Sequence, residues 1–70
     1  MEQGMELLLN GALRTGLRST TVAELVVELE LPGPALLIEH NGTALHRGEW
    51  ENTRLNPGDR LEFVRIVAGG

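Results

Sequence analysis

Two Asn-Gly dipeptides, Asn10-Gly11 and Asn41-Gly42, each stand between short apolar runs, and they constrain this chain more than any other feature. A type I′ turn needs positive φ at both central residues, which asparagine and glycine tolerate and most residues do not. The turn also twists in the same sense as the strands it joins, so Asn-Gly flanked by apolar residues is the strongest local hairpin signal. The first dipeptide joins Met5-Glu6-Leu7-Leu8-Leu9 to Ala12-Leu13-Arg14-Thr15. The second turns Ala35-Leu36-Leu37-Ile38-Glu39-His40 toward Thr43-Ala44-Leu45. A two-stranded hairpin is marginal alone, so two of them require a shared core.

The segment between the hairpins supplies the covering element. Thr21, with Glu24 three residues on, has the spacing of a capping box, in which each side chain satisfies a free backbone amide at a helix start. Behind it, Val22, Leu25, Val26 and Leu29 fall at i, i+3, i+4 and i+7, one helical stripe turned to a core. Glu24, Glu28 and Glu30 lie off that stripe, on solvated faces. Leu31-Pro32-Gly33-Pro34 should end the helix, because the residue before proline is pushed out of the α region. The stretch from His46 to Thr53 carries Trp50 and reads as irregular or a short helical turn. Asn56-Pro57-Gly58-Asp59 has proline and glycine where a type II turn prefers them, and a last strand runs from Arg60 to Val67.

The order is therefore strand, strand, helix, strand, short strand, strand. This is an α+β chain with the β-grasp arrangement: a mixed four- to five-stranded sheet with one main helix packed on one face. Once that fold is accepted, a right-handed crossover places the last strand centrally, beside and parallel to the first. Residues 1–70 form one domain; 1–4 are expected to be disordered, with Met5 an alternative start, and 68–70 to be a flexible functional tail.

Size and composition remove most function classes. Seventy residues bury only about 60% of the surface the unfolded chain exposes, and with no cysteine there is no disulfide or thiolate metal site to help. No apolar run approaches the roughly 20 residues needed to span a bilayer, and Met1-Glu2-Gln3-Gly4 lacks a signal peptide's basic start, so a cytoplasmic protein with no membrane partner is expected. The formal charge is −4. Its cations are all arginine and never cluster, and Trp50 and Phe63 are too few for a base-stacking platform. Nucleic acid is not an expected partner.

Few side chains invite catalysis. His40 falls inward at a strand end and reads as a hydrogen-bonded structural histidine; His46 reads as a solvated loop residue. Two histidines without a paired, spaced carboxylate motif make a poor metal site. Ser19, Thr20 and Thr21 precede a helix, where capping is their ordinary task. Asp59 reads as a turn residue, and Trp50 as a plug at the core edge opposite the helix. No constellation of side chains here could run chemistry unaided, so an enzyme is not expected.

Several motifs in order carry a family resemblance from Met5 to Gly70. They are Leu9-Asn10-Gly11, Thr21-Val22-Ala23-Glu24-Leu25, Asn41-Gly42, Arg47-x-x-Trp50 and Pro57-Gly58-Asp59-Arg60. The series ends in a strand leading through Ile66-Val67-Ala68 into Gly69-Gly70. Together they resemble the ThiS family, the sulfur-carrier proteins of ubiquitin-like fold in thiamine biosynthesis. The resemblance implies that an E1-like adenylyltransferase of ThiF type converts the Gly70 carboxylate to an acyl-adenylate with Mg-ATP. A cysteine desulfurase or rhodanese-type donor then supplies sulfur, giving a Gly70 thiocarboxylate that a ThiG-type thiazole synthase consumes. ATP and Mg would be used by the activating partner, with no cofactor bound here and a monomer when free. Ala68, Gly69 and Gly70 suit this chemistry, since glycine lets backbone approach a reacting centre closely. A carrier for molybdopterin or tRNA thiolation, a ubiquitin-like protein modifier, and an inert β-grasp interaction module are the alternatives.

If the strands pair as in a β-grasp sheet, alternation puts Leu8, Leu37, Val64 and Ile66 on the face away from the helix, as one apolar patch. A contiguous exposed apolar patch marks a partner surface, so this one is expected to dock on the adenylyltransferase and the thiazole synthase. Arg65, close to the tail, is expected to pair with acidic partner residues.

Overall fold

A computed structural model of the chain describes residues 4–66, with the side chain of Pro34 outside that description. Strands β1 (Met5–Leu9) and β2 (Ala12–Leu17) form the first hairpin. Asn10 and Gly11 take φ of 50° and 83°, the left-handed pair that a type I′ turn demands. Helix α1 (Val22–Glu28) crosses the sheet to β3 (Leu36–His40), which Asn41 and Gly42, at φ 51° and 88°, turn into β4 (Thr43–Leu45). Strand β5 (Arg60–Arg65) closes the sheet in the order β2-β1-β5-β3-β4. It runs parallel to β1 and antiparallel to β3, the central position that the crossover requires. The mixed sheet has five strands.

Each Asn-Gly turn also does something its local sequence does not announce. Asn10 Oδ1 accepts from Phe63 N at 2.8 Å, and Asn41 Oδ1 accepts from Arg60 N at 2.8 Å. Both turns thus clamp β5, the strand between them, and fix its height in the sheet.

The helix stripe packs as its spacing requires. Val22, Leu25 and Val26 are buried and Leu29 packs against them, joining Leu7, Leu9, Ile38, Leu61 and Trp50 in one core. Each fully buried leucine contributes about 1.5–3 kcal/mol by area. The ends of the helix differ from the expected form in two ways. Thr21 Oγ1 accepts from Glu24 N, but the Glu24 carboxylate reaches Thr20 N and Thr20 Oγ1, one residue earlier than a standard box. Thr21 is drawn aside into a bridge with Arg54, while Val22 N donates to Thr53 O. At the other end, the helix stops before Pro32 has any effect. Glu30 takes φ 56°, Leu31 N donates to Val26 O and Glu30 N to Val27 O, a Schellman closure with glutamate where glycine is usual.

Two further elements depart from expectation. Ala35 belongs to a 3₁₀ turn, Gly33–Ala35, rather than to β3. Trp50 lies in a second 3₁₀ segment, Arg47–Asn52, which packs against α1. It therefore enters the core from the helix side, where Arg47 stacks 5.0 Å over its ring, and not from the edge opposite the helix. The turn at Asn56 to Asp59 has Gly58 at φ 87° and Asp59 N bonded to Asn56 O, as a type II turn should.

Candidate functional site: the outer sheet face and the approach to the C-terminal glycines

Strand β5 governs the site because it carries the chain toward residues 67–70. Its last residue is Arg65, and Ile66 N still donates to Ala35 O at 2.7 Å. Val67, expected to end the strand, and Ala68, Gly69 and Gly70, expected to carry the chemistry, lie outside the described residues.

Register decides which side chains share the face away from α1. Leu37 stands directly opposite Val64, and alternation places Ile66 on the same face; the three are 50%, 54% and 49% exposed. Glu39 stands opposite Glu62 one step farther along the same strands, with Ala44 of β4 beside Glu39. Three of the four residues expected in the apolar patch are thus neighbours. Leu8 is not one of them. It pairs with Arg60 in the parallel β1–β5 ladder, four residues along β5 from Val64, or about 13 Å at the rise of a strand. Arg60 and Glu62 lie between.

Leu8 is half-buried and instead neighbours Leu13, its partner in β2 and 60% exposed. The outer face therefore carries two apolar clusters divided by charge. Leu13 is an exposed residue that strand alternation alone missed, but the hairpin signal could have found it. A two-residue Asn10-Gly11 turn forces Leu9 opposite Ala12 and Leu8 opposite Leu13. Arg65 pairs with Leu36, on the opposite face of the sheet from Val64. Neighbouring residues in a strand project to opposite sides.

The charged groups with the densest hydrogen bonding serve the fold. Asp59 is buried, with Oδ2 2.7 Å from His40 Nε2 and accepting from Asn56 N at 2.9 Å, while Oδ1 accepts from Asn41 Nδ2 at 3.2 Å. Burial pushes its pKa up, but the hydrogen bonds from His40, Asn56 and Asn41 outweigh burial and hold it below the usual value. His40 is accordingly a hydrogen-bonded structural histidine. Glu28, expected on a solvated face, accepts from Arg18 N, Ser19 N and Ser19 Oγ. The Ser19 hydroxyl and the Arg18 amide lower its pKa. Among the described residues no three His, Asp or Glu side chains converge as a metal site, and no helix is long and apolar enough to cross a membrane.

The ThiS family model matches residues 7–70. The chain belongs to the ThiS family. ThiS-family proteins are small sulfur carriers rather than catalysts. The crystal structure of a thiamine biosynthesis protein, ThiS from Geobacter metallireducens, superposes with a TM-score of 0.81 at 33% identity, over 94% of this chain and 100% of that one. A thiazole synthase from Paramagnetospirillum magneticum is 32% identical over 66 residues, 94% of this chain. The ThiS-like chain spans only 20% of that protein's length.

Proposed function

We propose that this chain carries sulfur for the thiazole ring of thiamine as a thiocarboxylate on Gly70. The observation that carries the reading is the family match, which runs through residue 70 on a β-grasp fold whose central strand leads there. A carboxylate is a poor electrophile, so a ThiF-type adenylyltransferase first joins it to AMP with Mg-ATP, and pyrophosphate leaves. The outer sulfur of a cysteine desulfurase or rhodanese-type persulfide then attacks the carbonyl and displaces AMP. A second thiol cleaves the resulting acyl disulfide, leaving the thiocarboxylate on Gly70 and a disulfide on the donor side. Gly69 and Gly70 offer no side chain to obstruct either exchange, and Ala68 adds only a methyl group. The carrier would work in the cytoplasm, where ATP and sulfur donors meet, and its partners would supply every catalytic group.

The sulfur-accepting partner in this reading is a ThiG-type thiazole synthase. Its support is the thiazole synthase of Paramagnetospirillum magneticum, a fifth of which resembles this chain. The apolar cluster of Leu37, Val64 and Ile66, beside the approach to the glycines, would dock on both enzymes, and Leu8 and Arg65 would stand outside it. Carriers for molybdopterin or tRNA thiolation share the C-terminal chemistry, but the relatives found belong to thiamine biosynthesis and thiazole synthesis.

Intact-mass spectrometry tests the reading. Incubated with the adenylyltransferase, Mg-ATP, a persulfide donor and a thiol reductant, the protein should gain the mass difference between sulfur and oxygen, localised to Gly70. Deleting Gly69 and Gly70 should abolish that gain. An unmodified mass under conditions where thiazole is being made would overturn it.

A further inference from the structure

The outer face holds a like-charge pair set across two neighbouring strands. Glu39 and Glu62 stand directly opposite each other across β3 and β5, and both are exposed. Like charges in that relation are destabilising. Among the described residues neither carboxylate is in an ion pair; the pair formed is His40–Asp59. Arg60, the cation on the same face of β5, makes no ion pair with Glu62. The next row along the same two strands is Leu37 and Val64, followed by Ile66. Same-face rows are about 7 Å apart, so the two carboxylates border the exposed apolar cluster.

We propose that Glu39 and Glu62 together receive an arginine or lysine of a docking thiazole synthase, while Leu37, Val64 and Ile66 form the apolar contact beside them. This rests on the carrier reading and names the chemistry its partner must present: an apolar centre with a cation at one edge. The like-charge pair set directly beside the exposed apolar cluster carries the assignment. A cation seated between two carboxylates converts their repulsion into charge-assisted hydrogen bonds, and the apolar contact alongside excludes water and strengthens them. The free protein bears the repulsion and the complex relieves it. The same pair steers encounter, so association should depend on salt. The occupant is a thiazole synthase because a segment like this chain shares one polypeptide with such an enzyme in Paramagnetospirillum magneticum.

The test is the double variant Glu39→Gln/Glu62→Gln in the full chain, assayed against the thiazole synthase and the adenylyltransferase of the same genome. Its Tm should rise by about 2–4 °C as the repulsion is removed. Its Kd for the thiazole synthase should weaken about tenfold, as losing a charge-assisted contact predicts, with a flattened salt dependence. Affinity for the adenylyltransferase should be little changed. Unchanged affinity and salt dependence toward the thiazole synthase would overturn the proposal, as would a loss confined to the adenylyltransferase. Val64→Asp, run in parallel, separates the two levels. If it abolishes binding while the double variant binds normally, the docking face stands and the cation receptor falls. If the unaltered protein binds neither enzyme, the carrier reading falls and this proposal with it.

Discussion

Asp59→Asn should remove a large part of this protein's stability while leaving the outer face untouched. Asp59 is 8% exposed. One oxygen meets both His40 Nε2 and Asn56 N, and the other accepts from Asn41 Nδ2. An amide has one acceptor where the acid has two. Turned one way, its NH₂ faces the Asn41 NH₂, whose own oxygen is held by Arg60 N; turned the other way, it faces the Asn56 amide. Either orientation strands a donor. Losing a hydrogen bond to a charged group costs about 1.5–3 kcal/mol, and a buried donor without a partner about 1–3 kcal/mol, so a loss of about 3 kcal/mol is expected. At about 0.05–0.15 kcal/mol per residue, a chain of this length has roughly 4–10 kcal/mol in all. Urea melts followed by circular dichroism and by Trp50 fluorescence measure the difference. The folded pKa of Asp59 is held below its ordinary value, so its ionised form contributes fully above the unfolded pKa. That contribution fades as pH falls through the folded value. The gap between the two proteins should be full at pH 7 and shrink below about pH 4. A difference under about 0.5 kcal/mol at pH 7, or one that does not change with acid, would refute the reasoning.

Asn10→Ala should cost about 2 kcal/mol in the same urea melts, combining a left-handed backbone with the lost bond to Phe63 N; Asn10→Gly should recover roughly half. Glu28→Gln should cost about 1 kcal/mol at pH 7 through its bonds to Arg18 and Ser19. The Ser19 hydroxyl lowers the Glu28 pKa, so this advantage is present above the ordinary carboxylate range and should vanish as pH falls through the lowered value. Val64→Asp, at a half-exposed site, should leave stability within about 0.5 kcal/mol. It should weaken binding to adenylyltransferase and thiazole synthase at least tenfold in calorimetry, and unchanged binding would remove the docking face.

Sequence alone determined most of what depends on short spacings. The two Asn-Gly turns fixed both hairpins, because few residues accept positive φ twice running. The stripe of Val22, Leu25, Val26 and Leu29 fixed the helix and its buried side. Leu37, Val64 and Ile66 were legible as outward residues because strands alternate strictly, and the glycine-ended motif series was enough to place the family. Tertiary structure decided what depends on pairing between distant segments. Leu8 stands apart from Val64 because the parallel β1–β5 ladder starts at Leu8 and Arg60, an offset that no local pattern encodes. Trp50 lies beside the helix, and Asp59 gathers His40 and Asn41, through contacts between residues far apart in the chain, while Glu28 ties down Ser19 across the turn into the helix. The periods of helix and strand are set by backbone geometry and can be read along the chain; register is set by how whole surfaces fit, and only the folded sheet reveals that Glu39 faces Glu62.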